Sequence, residues 1–429
     1  MSVEVASPWR SIPLGRVCSL NDDVLSESTD ANLEIDYIEI SDVDLAEGVK
    51  NSTTLRFGDA PSRARRIIRT GDVLVSTVRT YLRAIGAVTA QHSGAVASTG
   101  FAVLRPRKIR PNYLAYVVHS EAFVGEVISR SVGVSYPAIN AVDMLKIHVD
   151  VPSESEQRQI AEYLDRETGQ IDALITKQEK LVETLIERRQ AAVTHAVTRG
   201  LDPNVELRDS GIDLLERIPK HWRVAQLKRH LFKIEQGVSP EASAELADGN
   251  SWGVLKAGCV NRGIFSDVEH KKLPDDFAFK PALAVHVGDL LVNRASGSPS
   301  LVGSAAIVRD LRYKVILSDK IFRLLVRPAT SSAFLELVFQ SALYRTQVLQ
   351  SISGAEGLAN NLPSSALKRF WIPTPPLAEQ NEIVAHLDVE TKRIDVLVNK
   401  SRQVVHVLKE RRQALISAAV TGKIDVRGL

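Results

Sequence analysis

Two stretches of the chain carry apolar residues at steps of three, four and seven. The first holds Ile160, Leu164, Ile171, Leu174, Leu181, Leu185 and Ala192, and the second Ile383, Leu387, Ile394, Leu397, Val404, Leu408 and Leu415. Such spacing puts one apolar seam on each of two long helices, the pattern of a coiled coil. Proline is absent from their interiors, and Pro152 and Pro375 stand just ahead, where proline is tolerated. A helix of roughly 40 residues is about 60 Å long at 1.5 Å per residue. That is too long to bury in one small domain, so each helix needs a helical partner, and the other copy is the nearest candidate. Elsewhere the pattern is shorter. Residues 73–78, 101–104, 147–151, 289–293 and 321–326 read as strands, and 113–129 and 333–352 as helices. Residues 198–222, with Gly200, Pro203, Gly211 and Pro219, read as a linker.

The chain is also written twice. Residues 152–202 align without a gap onto 375–425, at a constant offset of 375 − 152 = 223, with roughly four in ten positions identical. Glu156-Gln157 recurs as Glu379-Gln380, Leu164-Asp165 as Leu387-Asp388, Glu167-Thr168 as Glu390-Thr391, and Ile171-Asp172 as Ile394-Asp395. The run Glu187-Arg188-Arg189-Gln190-Ala191 recurs from Glu410 to Ala414, and Ala196-Val197-Thr198 as Ala419-Val420-Thr421. Fainter echoes precede these segments. Trp9-Arg10 answers Trp222-Arg223, the run from Gly71-Asp72 to Val75 answers that from Gly288-Asp289 to Val292, and Arg105-Pro106 answers Arg327-Pro328. The resulting division is a first variable domain (1–151), a first shared helix (152–198), a linker (199–222), a second variable domain (223–374), and a second shared helix with its tail (375–429).

Composition narrows the class. With 429 residues, 44% hydrophobic and 24% charged, the chain is globular and multidomain. No run of ~18 apolar residues occurs and residues 1–10 lack a hydrophobic signal region, so a cytoplasmic location is expected. Two distant cysteines, Cys18 and Cys259, argue against a disulfide framework or a cysteine zinc site. The net charge of +3 decides nothing about nucleic acid. Catalytic signatures are missing: there is no Gly-x-Gly-x-x-Gly after a strand, no Walker loop, and no Asn-Pro-Pro-Tyr type of motif. Pro274-Asp275-Asp276 with Lys280 has too few acidic neighbours for a nuclease and reads as an exposed loop, and His195, His221 and His286 stand singly.

Base reading needs Arg, Lys, Asn, Gln, Ser or Thr at groove edges. Ser76, Thr77, Arg79, Thr80, Tyr81 and Arg83 follow the first Gly-Asp strand, and Asn293, Arg294, Ser296 and Ser298 follow the second. Both sets are candidate DNA contacts. Ser135-Tyr136 and Glu356-Gly357, ahead of each domain's last strand, form a second candidate pair. Arg63, Arg65, Arg66 and Arg69 make a basic cluster suited to phosphates.

This order of parts resembles the specificity subunit of type I restriction-modification systems. The resemblance is carried by the segments that open with Pro152-Ser153-Glu154-Ser155-Glu156-Gln157 and Pro375-Pro376-Leu377-Ala378-Glu379-Gln380, each with its helix. Gly200-Leu201-Asp202-Pro203, Ser210-Gly211-Ile212 and Ile218-Pro219-Lys220-His221-Trp222 support it, as does the strand from Gly71 to Arg79. The resemblance implies two mixed α/β (α+β) target-recognition domains held apart by an antiparallel two-helix coiled coil, with pseudo-twofold symmetry. Each domain would read half of a bipartite double-stranded DNA site, and the chain itself would catalyse nothing and bind no cofactor. Two methyltransferase subunits would use S-adenosylmethionine on the scaffold, and restriction motor-nuclease subunits would use ATP and Mg. Paired antiparallel, Glu167 would lie near Arg411 and Arg188 near Glu390. Two other readings compete: a coiled-coil adaptor without DNA specificity, and a fused methyltransferase or nuclease.

Overall fold

Strand Arg10–Pro13 pairs antiparallel with His148–Val151, and Arg223–Gln226 pairs in the same way with Trp371–Thr374. Each ribbon ties the start of a globular region to its end, directly ahead of a long helix. The computed structural model describes residues 9–45, 48–352 and 360–426. The chain divides into two units, 1–179 with 402–429, and 180–401. Both long helices, Glu154–Arg199 and Leu377–Val420, therefore give one segment to each unit.

The first unit is built on an antiparallel four-stranded sheet. Its order is Cys18–Leu20, Phe101–Pro106, Val73–Ser76, Ile85–Ala87. Val73, Leu74 and Val75 are all buried, so this strand has a core on both faces and reads as an unbroken apolar run. A second four-stranded sheet contains one parallel pairing, Val96–Ser98 against Glu34–Ile38. The second unit repeats the plan. Leu231–Gln236, Ile321–Val326, Leu290–Asn293 and Ala305–Ile307 form its main sheet, and a three-stranded sheet again contains one parallel pairing, Gly253–Leu255 against Val315–Ile316.

The expected strands are present, but each expected short helix is two. Pro111–His119 is followed by Glu121–Ser129, and Ser332–Phe339 by Ala342–Ser351. The cause is a buried serine at each break. The Ser120 hydroxyl donates to the Val117 carbonyl (2.7 Å) and accepts from the Phe123 N–H (3.3 Å), ending one helix and capping the next. Ser341 does the same with Val338 and Tyr344.

The expected linker is also more than a linker. Leu207–Ile212 and Leu215–Pro219 form an antiparallel hairpin, and Leu215, Ile218 and Trp222 are buried in the core of the second unit. Glycine and proline mark its turns, while the buried residues between them make it structure.

The helical seam needs correction too. Ile160, Leu164, Ile171, Ile383, Leu387 and Ile394 are buried as expected, and Leu185 and Leu408 are partly buried. Leu174, Leu181, Leu397 and Val404 are exposed, whereas Ile175 and Val398 are buried. The stripe runs at the 3.6-residue period of a straight helix and includes Thr168, Thr391 and Ser401, all buried. Thr168 and Thr391 return their hydroxyls to the Leu164 and Leu387 carbonyls, both at 2.6 Å. A pattern that counts only apolar residues skips these positions and slips by one.

Within each unit the two helix segments run antiparallel. In the first, Arg412 pairs with Asp172 at 2.9 Å and Lys409 with Glu179 at 3.1 Å. In the second, Arg189 pairs with Asp395 at 3.0 Å, while Val193, Ala196 and Val197 share a core with Ile383 and Leu387. Two of these helix-to-helix ion pairs use Arg189 and Arg412, one position beyond the expected Arg188 and Arg411. Arg188 does line one groove with Glu390, while Glu167 pairs with its neighbour Arg166.

Candidate nucleic-acid interface

The Gly-Asp pair that opens each central strand is a clamp. Gly71 and Gly288 have φ of +89° and +96°, the left-handed region that glycine enters freely. The Asp72 carboxylate accepts from the Arg69 N–H and takes a two-pronged bond from Arg105 (both 2.8 Å). Asp289 accepts likewise from the His286 N–H and from Arg323, each at 3.0 Å. Arg105 also holds Asp23 (2.7 Å), whose carboxyl is lowered below the usual range chiefly by that bond. Arg323 also holds Glu235 (2.6 Å): burial raises the Glu235 carboxyl, and the bonds from Arg323 and Lys233 overcome it to lower the net value. The strand ends are thereby fixed, and so are the loops that leave them.

In the first unit the loop after Ser76 makes a tight turn. Arg79 and Arg83 have φ of +49° and +53°, two of the four non-glycine residues with positive φ among the described residues. A side chain is disfavoured there, so the surroundings must impose it. The Arg79 N–H donates to the Pro137 carbonyl (2.7 Å), Val78 bridges to Ala138, and the Thr80 and Ser131 hydroxyls bond at 2.8 Å. These contacts join the loop to the segment that holds Ser135 and Tyr136. The Arg79 guanidinium lies 4.6 Å from the centre of the Tyr136 ring.

Of the candidate contacts here, Arg79, Tyr81, Ser135 and Tyr136 are exposed. Ser76, Thr77 and Thr80 are not. They are buried and hold the turn, with the Ser76 hydroxyl on the Val78 carbonyl (2.6 Å) and the Thr77 hydroxyl on the Gly100 carbonyl (2.9 Å). Arg83 is partly buried and paired with Glu121. The basic cluster is largely engaged as well: Arg63 bonds Tyr37 and Glu39, Arg69 pairs with Asp23, and Arg65 lies over Phe57.

In the second unit Asn293 is buried, and its side-chain oxygen accepts from the Ala295 N–H (2.9 Å). Arg294 occupies the place of Thr77: its N–H bonds the Lys320 carbonyl as that of Thr77 bonds Gly100. Its guanidinium reaches the Asp319 carbonyl (3.3 Å) and lies over Phe322. Ser296 therefore stands where Arg79 stands in the first unit. Ala295–Ser296 pairs with Asn360–Asn361, and Ser298 shares a hydrogen bond with Ser300 (2.8 Å). The residue that shapes this loop went unread in the sequence. Arg345 donates to the carbonyls of Pro299, Ser300 and Val302. Glu356 and Gly357 lie outside the described residues.

The repeated helix motifs grip these domains. Gln157 and Gln380 are buried at the helix starts. Gln157 accepts from the Arg110 N–H and donates to the Pro152 carbonyl, and Gln380 accepts from the Ser331 N–H and donates to the Pro375 carbonyl, all within 2.8–3.0 Å. From the opposite helix, Gln413 donates to the His119 carbonyl and Ser417 accepts from the Glu121 N–H (3.0 Å). Gln190 and Thr194 serve Gln340 and Ala342 identically. The serine-capped break in each helix pair is thus where a long helix holds the domain.

Two units on one plan, each with a clamped strand, an exposed loop and two helix grips, define a duplicated recognition scaffold. Comparison with known proteins agrees. The family described as "Type I restriction modification DNA specificity domain" matches twice, over residues 7–184 and 219–405, and the chain belongs to it. The chain is 28% identical over 205 residues to the EcoEI specificity subunit of Escherichia coli, an alignment covering 47% of this chain and 34% of that protein's length. It is 21% identical to the EcoKI specificity subunit of E. coli strain K12 (76% of this chain, 68% of the other). It is 25% identical to the MjaVIII specificity subunit of Methanocaldococcus jannaschii (78% and 76%). A chain from a structural study of complex assembly and conformational transition in a type I restriction-modification system shares the fold, with a TM-score of 0.72, 22% identity, and coverage of 97% and 99%. Proteins of this family are specificity subunits, which recognise DNA target sites within restriction-modification complexes, and catalysis lies in other subunits. Among the described residues no helix is long and apolar enough to cross a membrane.

Proposed function

We propose that each unit reads one half of a bipartite double-stranded DNA site. The carrying observation is that the family match falls once on each unit, on one repeated plan. In the first unit the reading groups are Arg79, Tyr81, Ser135 and Tyr136. A guanidinium held on an aromatic face is preorganised for a two-pronged bond to guanine. In the second unit they are Ser296 and Ser298, hydroxyls that serve either purine or pyrimidine edges. The different residues at one loop position give the two half-sites different sequences.

The chain works in this reading without a cofactor of its own. Two methyltransferase subunits bring S-adenosylmethionine, restriction subunits bring ATP and Mg, and the complex is cytoplasmic. Support for a protein-binding role comes from the exposed apolar residues that the helices retain, Leu174, Leu181, Val396, Leu397 and Val404 among them. The test is titration of labelled duplexes with the chain co-expressed with its methyltransferase subunit. Selective binding that weakens with salt supports the reading, and equal affinity for unrelated duplexes contradicts it.

A further inference from the structure

The loop pair of the first unit carries more apolar surface than phosphate or hydrogen-bond recognition requires. Tyr81 and Leu82 are each about half exposed, Tyr136 is 66% and Val132 80% exposed, and Val134 is wholly so. They sit on two segments locked together by the Val78–Ala138 bridge, the Arg79–Pro137 bond and the Thr80–Ser131 bond. The patch is therefore built, and the buried Thr80, bonded to Ser131, joins its two segments. The neighbouring arginines are paired: Arg83 with Glu121 and Arg130 with Glu126. Of the three arginines on these two described segments, Arg79, stacked on Tyr136, is the one with no ion pair to a carboxylate.

A surface that binds the phosphate backbone needs cations in excess. This one presents hydrocarbon around a single guanidinium. Base edges present mainly hydrogen-bonding nitrogen and oxygen, and the one methyl group among them is the C5-methyl of thymine, in the major groove. Resting on the reading proposed above, we infer that the first unit recognises its half-site partly through thymine methyl groups, packed against Leu82, Val134 and the neighbouring tyrosines beside the base that Arg79 reads. Among the described residues the second unit shows no such patch: the loop at this position carries Ser296, Gly297, Ser298, Pro299 and Ser300. Methyl recognition is thus assigned to the half-site of the first unit.

Deoxyuridine differs from thymidine by that methyl alone and pairs identically, so it is the probe. Burying one methyl is worth about 0.8 kcal/mol, and 1.4 kcal/mol is tenfold, so each contacted methyl is worth about fourfold in affinity. The half-site of the first unit is identified as the one whose sequence preference relaxes in Arg79→Ala. Each thymine in it is then replaced by deoxyuridine, and binding to the complex of this chain with its methyltransferase subunit is measured by fluorescence anisotropy. At least one replacement weakens binding about fourfold. The double variant Leu82→Ser, Val134→Ser loses the preference for thymidine. Both side chains are exposed, so folding is retained and an unchanged melting curve verifies it. Equal affinity for thymidine and deoxyuridine at every position overturns the inference, as does a half-site without thymine. So does a double variant that keeps full discrimination, or one that loses its subunit partner, which makes the patch a protein-binding face. Absence of sequence-selective binding overturns the proposed function itself and is distinct from all of these.

Discussion

The side-chain amide of Gln413 donates to the main-chain oxygen of His119, 294 positions earlier. The same bond joins Gln190 to Gln340 in the second unit. A recognition domain is therefore held at two places, by the start of its own long helix and by the end of the other. The starts are the stronger grip, because Gln157 and Gln380 are buried and each satisfies both a donor and an acceptor. Replacing either with alanine should cost about 1–3 kcal/mol by leaving buried main-chain groups unpaired. Gln190→Ala and Gln413→Ala, at more exposed positions, should cost about 1 kcal/mol. Urea unfolding of the four variants measures this ranking, and equal costs at all four positions would refute it.

The two strand clamps give a second expectation. Arg105 is the partner of the buried Asp72, and Arg323 links Asp289 and Glu235. Removing one member of a buried ion pair strands the other, at about 3–5 kcal/mol. Arg105→Ala should therefore destabilise the first unit far more than Arg63→Ala, which removes an exposed pair worth about 0–1 kcal/mol. Thermal unfolding of the two variants decides it, and comparable losses would mean that the clamp is not the anchor.

Stability should also fall in mild acid. Burial lowers His119 to about 4, with Arg412 beside it adding to the effect. Its neutral form is favoured in the fold, so its contribution is complete above the unfolded value near 6.5 and is lost as pH falls from there towards 4. The size is on the order of 3 kcal/mol. His119→Gln should flatten the decline in melting temperature between pH 6.5 and 4, and an unchanged slope would contradict the assignment.

Cys18 and Cys259 are both buried, and burial pushes the Cys18 thiol up to about 12 and raises that of Cys259. Neither should react with a thiol-specific reagent in the folded protein, and both should react on unfolding. One cysteine lies in each unit, so mass spectrometry of labelled peptides during a urea titration reports the two units separately. Rapid native labelling of either would contradict the packing.

Much of this architecture was legible in the chain. The repeat exposed the duplication, and several residues that hold the domains stand at equivalent positions in it: Gln157 with Gln380, Gln190 with Gln413, and Thr194 with the chemically similar Ser417. Side-chain chemistry is kept where the chain grips itself. The site was less legible, because exposure cannot be read from residue type. Ser76, Thr77, Thr80 and Asn293 have the chemistry of base readers, yet they spend it on the turn. Arg294 resembles Arg79 in type but takes the register position of Thr77, which only the strand pairing reveals. Leu82, Val132 and Val134 were passed over because apolar residues are expected inside.

The central claim is that two units read two half-sites independently. The most direct test is selection from random duplexes by this chain assembled with its methyltransferase subunit, repeated with Arg79→Ala and with Ser296→Ala, Ser298→Ala. Unaltered protein should enrich two defined runs separated by undefined bases. Arg79→Ala should relax one run, costing about 1–3 kcal/mol at the base it reads, and the serine variant should relax only the other. A single continuous motif, or both variants altering the same bases, would contradict the account.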